Sequence, residues 1–152
     1  MENAIANQEA SQPPRPEGAV DHFMEAVGGD RSAASFMVAS LLHRELEEFG
    51  ATGQHCSWHH HQLIDAVPMQ AEWQWRQQQP TDMAPKVKIM PDGQAAIEFF
   101  TCRDMPPIAL FRHMELYPAE TYVSKSQNQV IATPIRSEAV AQAKVRRSQR
   151  EE

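Results

Sequence analysis

The stretch KVKIMPDGQAAIEFFTCR, Lys86–Arg103, holds two apolar runs, Val87–Met90 and Ala95–Cys102, on either side of Pro91-Asp92-Gly93. Proline presets φ at the first turn position, aspartate tolerates the next, and glycine takes the left-handed corner, so the pattern predicts a β-hairpin. The second run carries Ile97, Phe99 and Phe100 with only Glu98 between them, which predicts a central strand with both faces partly covered. Such a strand needs apolar cover from two sides, and the rest of the chain is read for what supplies it.

Upstream, Gly18–Val27 spaces Ala19, Val20, Phe23, Met24 and Val27 as a two-turn amphipathic helix, stopped by Gly28 and Gly29. Asp30 is the expected N-cap of a longer helix over Arg31–Phe49, apolar nearly all round in its first half and closed by Gly50. Cys56–Val67 is read as a short helix ended by Pro68, although alternation of Cys56, Trp58 and His60 also fits a strand. Glu72–Arg76, EWQWR, puts Trp73 and Trp75 on one face and predicts a half-buried strand. Beyond the hairpin, Ile108–Tyr117 is read as a strand, although Leu110, Phe111, Met114 and Tyr117 also fit a helix. Thr121–Lys125 and Gln129–Thr133 are read as a second hairpin across Ser126-Gln127-Asn128, and Ser137–Arg150 as a C-terminal helix. The expected fold is α+β: N-terminal helices packed on an antiparallel sheet of about five strands, followed by a helical tail. Three parts are expected: a proline-rich arm over 1–17, one domain over 18–136, and a charged C-terminal segment over 137–152.

Length and charge narrow the function classes. At 152 residues the chain fits one domain, and a net charge of −6 argues against nucleic acid as a partner, because phosphate binding rests on clustered Lys and Arg. The two cysteines match no disulfide framework and read as reduced thiols. No apolar run approaches the roughly 18 residues of a membrane span, and MENAIANQEASQPPRPEG lacks the basic head and apolar stretch of a signal peptide. The cytoplasm is the expected location.

The densest reactive cluster is His55-Cys56-Ser57-Trp58-His59-His60-His61. On a helix, Cys56, His59 and His60 would fall at i, i+3 and i+4, where thiolate and imidazole could share Zn²⁺. A closed site needs four ligands and no second pair stands nearby; His22, His43, Cys102 and His113 would have to arrive through the fold. No cofactor is therefore expected. For catalysis, His59, His60, Asp65 and Cys102 are the candidates, and no motif of a known nucleophile or phosphate loop occurs.

The preferred reading is an accessory, adaptor or inhibitor protein that binds another protein and self-associates as a homodimer. Its docking groups would be Pro13, Pro14 and Pro16 of the N-terminal arm, the Trp73/Trp75 face, and Arg146, Arg147 and Arg150 of the tail. The alternative is an enzyme or ligand-binding protein with a pocket under a curved sheet, where Trp73, Trp75, Phe99, Phe100, Phe111 and His113 are candidate lining.

Overall fold

The computed structural model describes residues 16–49 and 57–135. One helix, α1 (Ala33–Glu47), precedes six strands: β1 (His61–Ile64), β2 (Trp73–Trp75), β3 (Lys86–Ile89), β4 (Ala95–Arg103), β5 (Ala109–Tyr117) and β6 (Lys125–Pro134). All pairings are antiparallel, in the order β1-β4-β5-β6-β2, with β3 also on β4. β3 and β1 lie end to end along one edge of β4, on Ala95–Glu98 and Phe100–Arg103 respectively. Among the described residues no helix is long and apolar enough to cross a membrane.

The hairpin forms as its turn chemistry requires. Gly93 sits at φ +86, and Asp92 Oδ1 accepts from the Gln94 N–H at 3.0 Å, fixing the corner between β3 and β4. The helix expected over 31–49 is observed as Ala33–Glu47, but Ser32 is its cap, accepting from the Ser35 N–H at 3.1 Å. Asp30 instead accepts from the Ser32 N–H. The strands expected at EWQWR and at Ile108–Tyr117 are present as β2 and β5.

The expected architecture is otherwise corrected. Gly18–Val27 holds only a four-residue 3-10 turn, Phe23–Ala26, whose first N–H groups include one capped by His22 Nδ1 at 3.1 Å. Two turns bounded by glycines are too short to repay helix nucleation, so among the described residues α1 is the one α-helix on the N-terminal side of the sheet. Within 56–67 the described residues form a 3-10 turn, Trp58–His60, and then β1, because the free edge of β4 offers ladder partners that a short isolated helix lacks. The second hairpin across Ser126-Gln127-Asn128 is absent. Those residues pair with Glu115, Met114 and His113 inside a continuous ten-residue β6, and the real reversal lies between β5 and β6. Among the described residues the sheet has six strands, against the about five expected. The C-terminal helix expected over 137–150 and residues 1–15 of the proline-rich arm lie outside the described residues.

Both faces of β4 do receive cover. On one, Phe36 and Ala39 of α1 with Met24 of the 3-10 turn close over Ala95, Ile97, Phe99, Tyr117 and Tyr122. On the other, Met83, Ile64, Val67, Trp73 and Trp75 pack on Phe100, Leu110 and Ile131. Each fully buried aromatic or aliphatic side chain contributes roughly 1.5–3 kcal/mol. The outer face stays open beyond Phe100, where Ala96, Met114 and Leu116 form an apolar floor beside Lys86, Lys88 and Lys125.

Arg31 clasps the first of these layers. Its guanidinium donates to the carbonyls of Pro118 (2.6 Å), Gly93 (3.1 Å) and Thr121 (3.2 Å), and lies 4.8 Å over the Phe36 ring. One side chain therefore ties the helix entrance to the β3–β4 turn and the β5–β6 connection, from a backbone held at φ +58. A positive φ costs a non-glycine residue about 1–2 kcal/mol, and the clasp outweighs it. Arg31→Ala is expected to lower stability by about 2 kcal/mol in urea unfolding, and Arg31→Gly by less, since glycine relieves the backbone. Equal stability of all three proteins would contradict the clasp.

Candidate functional site

The helix-covered face of the sheet carries a polar line in the middle of its core. Period two puts Phe111, His113, Glu115 and Tyr117 of β5 on that face, and register sets Phe99 and Asn128 on either side of His113. From above, α1 delivers Ser40 and Arg44, one helical turn apart, onto the same line.

Glu115, 3 % exposed, and Arg44, 7 % exposed, form a buried ion pair through Glu115 Oε1 and Arg44 Nη1. Leaving either charge unpaired at this depth would cost several kcal/mol, so their neighbours matter. Arg44 Nη1 also donates to Ser40 Oγ at 2.7 Å and to the Ser40 carbonyl at 3.0 Å. The Ser40 hydroxyl donates to Glu115 Oε1 at 2.8 Å, and the Tyr117 hydroxyl to Oε2 at 2.7 Å. Burial alone would raise the Glu115 pKa; the Arg44 charge and these hydrogen bonds outweigh it and hold the carboxyl below its usual range. Burial, reinforced by the Glu115 charge, pushes the Tyr117 phenol up, so it stays a donor.

The line continues outward with a fixed direction. Arg44 Nη2 is 3.3 Å from Asn128 Oδ1, and a guanidinium only donates, so the amide oxygen is the acceptor. His113 Nδ1 lies 2.7 Å from the same oxygen and must carry its proton. Burial lowers the His113 pKa to about 4, so at neutral pH the ring is neutral and Nε2 is an acceptor. The Thr101 hydroxyl, 2.8 Å away, therefore donates to Nε2. Thr101 Oγ1 then accepts from His61 Nδ1 at 2.8 Å. Burial, with the Arg103 charge, also lowers the His61 pKa, so His61 is neutral and its Nε2 presents a lone pair. With the His113 ring neutral, every proton in the line is assigned by its neighbour, starting at Arg44.

Arg44, Trp58, His61, Phe111, His113 and Asn128 line a cavity of about 220 Å³ at the end of this line, with Glu47, Glu48 and Ser57 at its rim. Trp58 stacks on His61 with centroids 5.3 Å apart and Phe111 lies at 4.7 Å from the same ring. Glu48 Oε1 accepts from the backbone N–H of Ser57 (2.6 Å) and of Trp58, and Trp58 Nε1–H donates to Glu45 at 3.0 Å. Those bonds dock the 3-10 turn on the C-terminal end of α1 and set the width of the mouth. They also outweigh the effect of burial and hold the Glu48 carboxyl below its usual pKa.

The residues singled out in the sequence mostly stand elsewhere. His59 is half exposed 3.8 Å from Glu48, and His60 lies 4.0 Å from Asp104. Asp65 is exposed just after β1. Cys102 is on the outer face, its thiol pKa raised by burial and then by Asp104. These four are not brought together. Trp73 and Trp75 pack in the outer layer, where Trp73 Nε1–H donates to the Pro68 carbonyl at 2.8 Å, and Pro16 is exposed. Cys56, Pro13, Pro14, Arg146, Arg147 and Arg150 lie outside the described residues. Among the described residues no group of three or more His, Cys, Asp or Glu could hold a metal ion. Of the expected pocket lining, Phe111 and His113 do line the cavity. Arg44, Glu115, Tyr117 and Asn128 were missed, and His61 stood out only as a member of the His55–His61 cluster; alternation within ALFRHMELY, which puts His113 and Glu115 on the Phe111 and Tyr117 face, was the signal for the strand members. No protein-family model, curated protein or solved structure matches the chain.

The pH response follows from the buried imidazoles. His113 has a folded pKa near 4 against an ordinary 6.5, so the folded state disfavours its protonation. The corresponding stability is complete above about pH 6.5 and is lost as the pH falls toward 4, on the order of 3 kcal/mol in all. His61 adds to it with the same sign. Glu115, whose folded pKa is depressed, contributes stability that is complete above its ordinary value of 4.5 and is lost only as the pH falls below it. Urea midpoints are expected to fall between pH 6.5 and 5, with a shallower slope in His113→Gln. A flat profile over that range in the parent protein would contradict the neutral buried ring.

Proposed function

We propose that the protein binds a small molecule in the cleft between α1 and the helix-covered face of the sheet, with His61 Nε2 as the acceptor that ligand meets. The observation that carries this reading is the directed hydrogen-bond line that ends in the His61 ring, which lines the cavity and uses its Nδ1 inward. A core that needed only stability would be served by apolar residues of similar volume, which are often as stable as a buried ion pair or more so. Polar groups converging on an aromatic-walled recess are the usual composition of a ligand site. At about 220 Å³ the recess is smaller than sites for drug-sized ligands, roughly 300–1,000 Å³, and suits one or two fused rings.

Docking on another protein through the terminal arms and the tryptophan pair is supported less well. The tryptophans are engaged in the outer layer, and most of the arm and tail residues lie outside the described chain. A fragment library screened by NMR is expected to yield compounds that perturb the Trp58 indole N–H, and His61→Phe is expected to weaken them at least tenfold. A screen without hits, or hits confined to the outer face around Leu116, would overturn the cleft as the binding site.

A further inference from the structure

We infer that the occupant of this cleft is a neutral or cationic flat heterocycle that presents an N–H donor to His61 and an acceptor to Asn128. The inference rests on the cleft reading above and adds the ligand's chemistry. Three observations converge on it.

The first is the polarity of the exposed edge. His61 gives its Nδ1 proton to Thr101, so the nitrogen left for a ligand can only accept. Asn128 is the reverse case. Its Oδ1 already receives Arg44 and His113, so the group it can still offer is its NH₂, a donor. A ligand satisfying both carries a donor and an acceptor, as amidine-type and lactam-type rings do. Meeting His61 with a group that cannot donate would leave a partly buried acceptor unpaired, which is where polar sites gain their selectivity.

The second is charge. Among the described residues, the one cation lining the cavity, Arg44, is neutralised by Glu115 beneath it, and both imidazoles are uncharged at neutral pH. What remains at the rim is Glu47 and Glu48. These two carboxylates outnumber the Arg103 charge that acts on His61, so the local field disfavours carboxylates and phosphates and tolerates a protonated ring. The third is shape. Trp58 and Phe111 both pack on the His61 ring, which makes the lining around it aromatic and suited to a ring system.

The test is a titration by calorimetry and NMR of the full-length protein with benzimidazole, its N-methyl isostere, naphthalene and indole-2-carboxylate at pH 7. Benzimidazole is expected to bind at least tenfold more tightly than N-methylbenzimidazole, and His61→Phe to erase that difference while the fold is retained by circular dichroism. Indole-2-carboxylate is expected to bind worst. Equal binding of benzimidazole, its N-methyl isostere and naphthalene, or preference for the carboxylate, would overturn the ligand class while leaving the cleft reading intact. Binding by none of the four would overturn both.

Discussion

Arg44 can donate hydrogen bonds and cannot accept them, and the arrangement of the cleft follows from that asymmetry. Its guanidinium meets the Glu115 carboxylate, which can only accept, and the Asn128 amide, which is thereby turned oxygen-inward. From Asn128 the direction passes through His113 and Thr101 to His61 without a free choice at any step. Such a chain is all or nothing. A half-satisfied polar network is worse than an apolar core, so each member holds the next in one rotamer and one protonation state. The reward is an imidazole at the cavity whose tautomer is decided more than one residue away from it.

The sheet makes the asymmetry possible. Antiparallel register puts Thr101, His113 and Asn128 on three neighbouring strands, β4, β5 and β6, all on the face that α1 covers. Around them Phe99 stacks on His113 at 4.8 Å and lies under Arg44 at 5.0 Å, so the inner part of the polar line packs against a ring while Asn128, at the β6 end, is exposed. The opposite face is built from different material. Residues 64–85 fold back over Phe100 and Leu110, and this layer absorbs Trp73 and Trp75. The two faces thus divide the labour: one seals the sheet, the other carries the polar groups.

The parts of the fold legible in the sequence were those with local physics. Pro91-Asp92-Gly93 specifies its turn through backbone preferences alone, and the long apolar run around Phe36, narrowing to Leu42, Leu46 and Phe49 and closed by Gly50, specifies a helix. The failures were non-local. Ser126-Gln127-Asn128 looked like a turn because three polar residues interrupt an apolar pattern; they are polar because that end of β6 is exposed and because Asn128 is needed by His113. His61–Ile64 looked helical because nothing nearby shows that β4 has a vacant edge. The site suffered most. Arg44 sits in RELEEF, a stretch that reads as a solvated helix face, yet its partner is 71 positions away. Phe111 and His113 were legible as lining because an aromatic and a histidine alternate on one strand face, and the same alternation held Glu115.

The protonation pattern is the point at which the account is most exposed. Neutral histidines usually carry the proton on Nε2, whereas the line starting at Arg44 requires it on Nδ1 at both His113 and His61. Long-range ¹H–¹⁵N correlation spectra of the imidazole rings at pH 7 read this out directly. The account predicts two neutral rings, each with Nδ1 protonated and with the His61 Nε2 shift of a bare nitrogen. An Nε2-protonated His61, or a charged His113, would contradict it.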